Sequence, residues 1–247
     1  MRIAVISDIH GNMEALNAVL EDIKLMECDK IFALGDYAMA GPQPTLATEW
    51  FMNNPENLDI TMIQGNTDSY IAEYSEGMYE AVRKNAPIMA EALKNDVKIL
   101  SPEQKEFLKN LPAQLEVEID GIKFLLVHGS PRKNNENILP ETTMEEVEEM
   151  LAHTDANIVL CGHTHIPCGF QTTKRQTAVN AGSVGRPFTE RPDACYLTVT
   201  IEDGKYVFQH RFVKYDKEAA ANKLKNRQFE GSDMLANNLL NPLARHF

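Results

Sequence analysis

Short apolar runs that stop abruptly at polar clusters constrain the fold of this chain more than any other feature. Five of them stand out, at residues 3–6, 31–34, 60–63, 124–127 and 158–160. Each run is continuously apolar and rich in Ile, Val and Leu, whereas a strand with one face in water alternates apolar and polar residues. The runs therefore predict strands that are buried on both faces in a largely parallel sheet.

The segment after the first run has the period of an amphipathic helix. Leu16, Val19, Leu20 and Ile23 follow one another at helical spacing, with polar residues between them. This spacing places the four side chains on one face of a helix. A strand, a turn and an amphipathic helix in this order predict an α/β fold.

Residues 67–112 interrupt this pattern, because Met, Ala, Glu and Lys recur there at helical spacing without a comparable apolar run. Ser101, followed by Pro and then by Gln three residues after the Ser, has the signature of a helix start. We predict a helical cap inserted into one domain that spans residues 1–247. Turns at Asp120-Gly121 and Asp203-Gly204 predict two hairpins, so antiparallel strands join the sheet late.

The chain ends in an apolar tail at residues 234–247. We expect this tail to form a terminal helix that packs on the body. The alternative is a contact between two copies of the chain, so the sequence leaves a homo-oligomer open.

Composition excludes several classes of protein. The chain has 36 Asp and Glu against 24 Lys and Arg, a net charge of −12, and 43% of its residues are hydrophobic. It is too hydrophobic for a disordered protein, and its charge repels long nucleic acids. No apolar run reaches the roughly 20 residues of a membrane span. The 4 cysteines form no C-x-x-C pair, which favours reduced thiols and a cytoplasmic location.

Residues with metal-binding chemistry follow all five runs. The clusters are Ser7-Asp8-Ile9-His10-Gly11-Asn12, Gly35-Asp36, Gly65-Asn66-Thr67-Asp68, His128-Gly129 and Gly162-His163-Thr164-His165. In a parallel α/β sheet such clusters meet beyond the carboxyl ends of the strands. Carboxylate and imidazole together suit Zn, Mn, Fe or Co, whereas calcium prefers oxygen ligands alone. One tetrahedral ion cannot bind this many ligands, whereas two ions that share a carboxylate can.

Each cluster alone is a weak signal, because a single His beside a strand is more commonly a hydrogen-bonded core residue than a ligand. Five clusters in order, each closing a predicted strand, carry the metal interpretation together.

In these motifs the chain resembles the calcineurin-like metallophosphoesterases, and within them the small bacterial and archaeal phosphodiesterase group. The matching motifs run in the family's order over residues 8–165, and residues 180–187 resemble the segment that follows. The resemblance implies a four-layer αββα sandwich, two sheets flanked by helices, with a metal pair at the sheet edge.

The resemblance also implies the ligand sets. One ion would be held by Asp8, His10, Asp36 and His165, and the other by Asp36, Asn66, His128 and His163, so that Asp36 bridges. The implied reaction is hydrolysis of a phosphate ester by metal-bound hydroxide, with Asp36, His128 and Arg186 as catalytic residues. The two ions would be divalent transition metals, Mn, Fe, Zn, Co or Ni, chosen by availability.

One position departs from the family pattern. Many relatives have a His that contacts the phosphate and helps to protonate the leaving group, and this chain has Thr67 there. A hydroxyl is a poor general acid, so we expect slow turnover or esters with good leaving groups, including diesters; packing or a hydrogen bond is the alternative role. The predicted substrate contacts are Asn12, Asn66, Thr67 and Arg186, with Arg132 and Arg175 as further candidates.

The predicted cap lies between two metal motifs and is a candidate lid. Its large side chains either line a substrate pocket or seat the cap on the body, and we expect one or two of them to face the ligand; they are Tyr70, Tyr74, Met78, Tyr79 and Met89. The remaining histidines, His153, His210 and His246, are predicted to be structural.

The sequence thus predicts a phosphoesterase that acts on a small phosphomonoester or phosphodiester and releases inorganic phosphate from the former. A phosphoprotein or a dinucleoside polyphosphate is an alternative substrate. A non-catalytic scaffold of the same fold is an alternative function, which the complete set of ligand positions argues against.

Overall fold

Each of the five apolar runs forms a strand. The computed structural model describes residues 1–54 and 56–242 of the chain. Its strands are β1 (Arg2–Ile6), β2 (Lys30–Ala33), β3 (Ile60–Met62), β4 (Gln114–Ile119), β5 (Ile122–Val127), β6 (Ile158–Cys161), β7 (Cys168–Gln171), β8 (Thr177–Asn180), β9 (Ala194–Glu202) and β10 (Lys205–Val213).

Helices separate the strands. They are α1 (Met13–Leu25), α2 (Pro44–Asn53), α3 (Asn66–Ala72), α4 (Glu76–Asn85), α5 (Pro87–Ile99), α6 (Pro102–Asn110), α7 (Met144–Leu151), α8 (Lys217–Lys225) and α9 (Ser232–Leu240). No helix in the described part of the chain is long and apolar enough to cross a membrane.

Two mixed sheets of five strands form the centre of the molecule. The strand orders are β10-β9-β1-β2-β3 and β4-β5-β6-β8-β7. Each sheet has three parallel strands in succession, β1-β2-β3 in the first sheet and β5-β6-β8 in the second. The antiparallel strands come from the two predicted hairpins and from β7.

Three apolar layers hold the sheets and helices together. Ile3, Val5 and Phe32 of the first sheet pack against Phe124 and Leu126 of the second. The opposite faces of the same strands are covered by helices: α1, α8 and α9 lie on the first sheet, and α7 lies on the second. This arrangement is the αββα sandwich that the resemblance implied.

The first strands are buried on both faces, as the continuous runs predict, but β3 differs. Ile60 and the other residues of β3 are only half-buried, because β3 is an edge strand of the first sheet. Strands β7 and β8 were not predicted. Each has four residues, and the sequence of β7 includes Gly169 and Gln171, so neither forms a long apolar run.

Four helices, α3 to α6, occupy residues 66–110, where the sequence predicts a helical insertion. Ser101 caps α6 as predicted, because its hydroxyl accepts a hydrogen bond from the Gln104 N–H at 3.2 Å. At the other end of the chain, α9 buries Leu235, Ala236 and Leu239 against the body, which is the packed helix that the sequence predicts. Residues 243–247, with His246, lie outside the described residues.

Candidate metal centre

The five polar clusters meet at one end of the molecule, where the carboxyl ends of both sheets lie together. Strands β1, β2 and β3 of the first sheet deliver Asp8, His10, Asp36 and Asn66. Strands β5 and β6 of the second sheet deliver His128, His163 and His165. The predicted ligands therefore come from two sheets rather than from one.

The carboxylates of Asp8 and Asp36 lie among the imidazoles. Asp8 Oδ1 is 3.2 Å from His165 Nε2 and 3.8 Å from both His10 Nε2 and His128 Nε2. Asp36 Oδ2 is 3.4 Å from His128 Nε2 and 3.7 Å from His10 Nε2. Asp8, Asp36 and these three imidazoles are buried, so each carboxylate reaches histidines on both sides of the centre.

Asn66 and His163 complete the set at its outer side. Asn66 Oδ1 is 3.0 Å from His128 Nε2 and 2.9 Å from His163 Nδ1. Asn66 is buried and His163 is half-buried. All seven side chains that the sequence proposes as metal ligands are thus brought together.

Backbone carbonyls orient three of the imidazoles. His10 Nδ1 lies 2.6 Å from the Met39 carbonyl oxygen, His128 Nδ1 lies 2.7 Å from that of Leu34, and His165 Nδ1 lies 2.6 Å from that of Arg186. A carbonyl only accepts, so each Nδ1 carries the proton and donates it. Each Nε2 is then the atom that could bind a cation in the centre once it carries no proton.

His10 and His165 approach each other closely in the centre. Their Nε2 atoms lie 3.2 Å apart, although both rings already donate through Nδ1. Burial and the neighbouring His165 lower the pKa of His10 to about 3, so His10 is neutral at pH 7.

The backbone at these positions is unusual. Five of the predicted ligands have left-handed φ angles, namely Asp8 (55°), His10 (46°), Asp36 (59°), His163 (68°) and His165 (62°). Such angles are uncommon in residues other than glycine, and strain of this kind clusters at functional sites.

Two glycines allow the carboxylates to approach the turns. A Cβ on Gly65 would lie 2.1 Å from Asp36 Oδ1, and a Cβ on Gly162 would lie 2.7 Å from Asp8 Oδ2. Neither space tolerates an alanine without movement. Glycine at these two positions therefore lets the turns approach the carboxylates closely.

Asp68 is a structural partner that the ligand search from sequence missed. Its Oδ2 accepts hydrogen bonds from the N–H groups of Asp36 at 2.7 Å and Gly65 at 2.9 Å, and its Oδ1 accepts one from Tyr37 N–H at 3.0 Å. Asp68 thereby fixes the turn that carries Asp36. The sequence feature that could have identified Asp68 is its position two residues after Asn66, a predicted ligand.

The neighbouring carboxylates and imidazoles of the centre shift one another's pKa values. Burial alone would raise the pKa of Asp8, but His165 and His128 outweigh it and bring the pKa to about 2. Burial would likewise raise the pKa of Asp36, yet His128 holds it far below its ordinary range. Burial would lower the pKa of His128, and Asp36 and Asp8 instead raise it to about 10. The metal-free centre therefore keeps both carboxylates charged and places a proton on His128.

This donor set fits divalent transition metals. Asp8 Oδ1 is buried and faces the Nε2 atoms of His10, His128 and His165, and a bound cation would stabilise a carboxylate oxygen in this position. Asp8, His10 and His165 form one group that could hold an ion, and Asp8, Asp36 and His128 form a second. Mixed oxygen and imidazole donors suit Zn, Mn, Fe, Co or Ni.

A cavity of about 600 Å³ opens beside the centre. Arg186 and Thr67 line it and are buried. Arg186 Nη2 and Thr67 Oγ1 both lack hydrogen-bond partners within the described chain. The cavity thus combines a desolvated cation and a hydroxyl with the proposed metal ligands.

Other predicted contacts lie elsewhere. Asn12 is buried, donates from Nδ2 to the Gly185 carbonyl at 2.9 Å and accepts from Ala15 N–H at 3.1 Å, so it caps α1 and does not line the cavity. Arg132 pairs with Glu136, and Arg175 is exposed in the turn between β7 and β8.

Of the large cap side chains, Met89 lines the cavity, within the one or two expected. Tyr70 and Tyr74 pack on the core, and the Tyr79 hydroxyl donates to Glu91 at 2.5 Å. His210 donates to the Asn180 carbonyl at 2.7 Å, which is the structural role predicted for it.

Comparison with known proteins agrees with these motifs. The calcineurin-like phosphoesterase superfamily domain matches residues 1–204. An uncharacterized protein of Methanocaldococcus jannaschii, MJ0912, is 31% identical over 242 residues, which cover 91% of this chain and 93% of that protein.

Two solved structures have the same fold over nearly the whole chain. The hypothetical protein PH1004 of Pyrococcus horikoshii is 25% identical with a TM-score of 0.84, and the match covers 96% of this chain and 97% of that one. A metallophosphoesterase of Sphaerobacter thermophilus is 23% identical with a TM-score of 0.78, covering 97% and 99%.

Proposed function

The chain belongs to the calcineurin-like phosphoesterase superfamily, and from this premise we propose that it is a dinuclear, metal-dependent hydrolase of small phosphate esters. One observation carries the proposal. The oxygens of Asp8 and Asp36 and the Nε2 atoms of His10, His128 and His165 converge in a buried centre. Divalent cations would stabilise such a centre by neutralising its carboxylates and accepting the imidazole lone pairs.

The predicted ligand sets are kept in this proposal. Asp8, His10, Asp36 and His165 would hold one ion, and Asp36, Asn66, His128 and His163 the other. Asp36 Oδ2 lies 3.7 Å from His10 Nε2 and 3.4 Å from His128 Nε2, which is compatible with the proposed bridge, and Asp8 Oδ1 lies 3.8 Å from the same two atoms. When bound, two divalent ions activate water and neutralise charge on the phosphate oxygens.

Arg186 would bind the substrate phosphate. Its guanidinium is buried, its Nη2 has no hydrogen-bond partner among the described residues, and its Nη1 reaches the Met89 sulfur at 3.7 Å. A desolvated guanidinium favours an anion that accepts two hydrogen bonds, and phosphate has this geometry. The Arg186 carbonyl accepts a hydrogen bond from His165 Nδ1. Arg186 is therefore bonded directly to a proposed metal ligand.

Thr67 would contribute a hydrogen bond rather than a proton. Its N–H donates to Asp36 Oδ1 at 2.9 Å, Thr67 lines the cavity, and its buried hydroxyl has no hydrogen-bond partner among the described residues. A hydroxyl at its ordinary pKa protonates a leaving group poorly. Esters with good leaving groups, including diesters, are therefore the better substrates.

The charged residues of the cavity limit the number of phosphate groups that the substrate can carry. Arg186 is the sole Arg or Lys among the described residues that line it, and Glu141 lies on the same wall. A second phosphate group would find no cationic side chain there. Together with the net charge of −12, this supports a small ester with one phosphate rather than a long nucleic acid.

The working location is proposed to be the cytoplasm. All four cysteines carry free thiols, which supports a reducing compartment. The choice among Mn, Fe, Zn, Co and Ni would follow metal availability.

Elemental analysis combined with hydrolysis assays tests the proposed function. We expect about two transition-metal ions per chain and hydrolysis of bis(p-nitrophenyl) phosphate and p-nitrophenyl phosphate. Asp36→Asn should lose metal and at least about 100-fold in kcat/KM. Asp203→Asn, in the exposed β9–β10 turn, is the matched control and should change neither quantity. A folded wild-type protein that takes up no Mn and hydrolyses neither ester would instead favour the scaffold function.

A further inference from the structure

A buried ion pair joins the end of the chain to the insertion helices. Arg227 follows α8, and its guanidinium pairs with the Asp96 carboxylate of α5. The Asp96 side chain is fully buried and that of Arg227 is 9% exposed. Arg227 Nη2 also reaches Asn95 Oδ1 at 2.6 Å. Nearby, a Cβ on Gly231 would lie 2.5 Å from Ile88 of α5, so the two segments are tightly packed.

Both members of the pair hold the loop at residues 39–41. Asp96 Oδ2 accepts a hydrogen bond from Ala40 N–H at 2.8 Å, and Arg227 Nη1 donates to the Gly41 carbonyl at 2.7 Å. Ala40 has a left-handed φ of 64°. A non-glycine residue keeps such an angle only where its surroundings fix it.

The same loop orients a proposed metal ligand. The Met39 carbonyl, directly before Ala40, accepts the Nδ1 proton of His10 at 2.6 Å. Gly41 packs so closely on the His10 backbone that a Cβ there would lie 1.3 Å from the His10 carbonyl oxygen. A small displacement of the loop therefore moves the acceptor that directs His10 Nε2 toward the centre.

We propose that Asp96 and Arg227 are positioning residues for the His10 side of the metal centre. They act through the loop at 39–41 and touch neither substrate nor metal. Arg227 lies beyond residues 1–204, which the superfamily domain matches, so the C-terminal segment takes part in the site. The inference rests on the proposed function for its metal readout, whereas the orientation of His10 is independent of it.

Arg227→Met in the full-length protein tests the proposal, because it removes the charge and the hydrogen bonds and keeps much of the side-chain length. Arg211→Met is the matched control: Arg211 pairs bidentately with Asp22 of α1, at 2.6 and 2.9 Å, in another part of the fold. The first readout is long-range ¹H–¹⁵N NMR of the imidazoles in metal-free protein. The second is calorimetric titration with Mn²⁺.

We expect Arg227→Met to alter the His10 imidazole signals and to weaken one of two Mn²⁺ sites by about 10 to 100-fold, the usual cost of losing an outer partner of a ligand. Arg211→Met should leave both readouts unchanged even if it lowers the melting temperature. Unchanged His10 signals and Mn²⁺ affinities in Arg227→Met would overturn the proposal.

Two further outcomes are separable. If Arg227→Met fails to fold, the same readouts are taken on Arg227→Lys, which keeps the charge near Asp96 but lacks the planar fork that joins three acceptors. Wild-type affinity and His10 signals in that variant would also contradict the proposal. If the wild type binds no Mn²⁺, the proposed function fails, and the His10 signals still decide the positioning role.

Discussion

At the scale of single residues, the centre depends on which nitrogen each imidazole presents. The Nδ1 atoms of His10, His128 and His165 donate to carbonyls of Met39, Leu34 and Arg186. These bonds keep a proton on each Nδ1 before any ligand arrives, so each Nε2 is the nitrogen that can bind a cation. Backbone carbonyls therefore orient these three proposed metal ligands, in the place that a carboxylate side chain takes in other metal sites.

Thr67→His should change the preference among esters. An imidazole at this cavity position supplies a general acid, so monoester hydrolysis should rise relative to diester hydrolysis by about tenfold or more. The measurement is the ratio of kcat/KM for p-nitrophenyl phosphate to that for bis(p-nitrophenyl) phosphate. Thr67→Val is the control, since it removes the hydroxyl and keeps the shape. An equal change of this ratio in Thr67→His and Thr67→Val would show that general-acid catalysis by the introduced imidazole does not cause the change.

At the scale of elements, the turns after the strands define the site more than the strands do. Strands β1, β2 and β6 end in turns whose Asp8, Asp36 and His163 adopt left-handed angles. These turns bend the chain sharply, so that consecutive polar residues point into one space. Helices α3 and α5 then close the cavity with Thr67 and Met89.

Gly65→Ala should damage the centre through the turn between β3 and α3. Gly65 has an ordinary φ of −87°, so the damage comes from the contact of its new Cβ with Asp36 Oδ1 rather than from backbone strain. We expect Mn²⁺ affinity to fall by about tenfold or more, measured by calorimetry. Gly77→Ala in α4, where the new Cβ would meet Ser75 Oγ at 3.9 Å, should leave affinity unchanged. Wild-type affinity in Gly65→Ala would mean that the turn moves freely.

At the scale of the whole molecule, the centre links stability to pH. In the metal-free protein the pKa of His128 is raised from 6.5 to about 10. A raised pKa gives a stability contribution that is complete below the unfolded value and is lost as pH rises through the folded value. Burial lowers the pKa of His10 to about 3 and that of His163 to about 4, so their contribution is lost as pH falls below 6.5. Stability from these histidines is therefore greatest near pH 6.5.

The metal-free protein should lose thermal stability as the pH rises from 7 to 10, as the His128 proton is released. The measurement is the melting temperature of chelator-treated protein across this range. His128→Asn should remove most of the fall between pH 7 and 10, because the titrating group is absent. A fall of the same size in His128→Asn would assign the effect to other groups.

Metal uptake should release a proton for the same reason. At pH 7.5 His128 is protonated in the metal-free centre, and a metal ligand must be neutral. Mn²⁺ titrations in buffers of different ionisation enthalpy should therefore show about one proton released per chain. Release that is equal in wild type and His128→Asn would contradict this assignment.

The sequence by itself determined the parts of this protein that are local. Continuous apolar runs are enough to predict β1, β2, β5 and β6, because burial on both faces leaves no polar alternation. The run of β3 predicted a strand but not its edge position, since exposure at a sheet edge depends on the neighbours of the strand. The seven proposed ligand positions were also readable, because each lies within four residues of the end of a strand.

Only the tertiary structure decided what depends on residues distant in sequence. The approach of Asp8 to His165 across the two sheets and the bond from Asn12 to the Gly185 carbonyl both join residues more than 100 positions apart. The same holds for Arg227, which reaches Asp96 and Gly41. No spacing rule encodes such pairs, because they form only after packing of α5 and the C-terminal helices has brought the chain together.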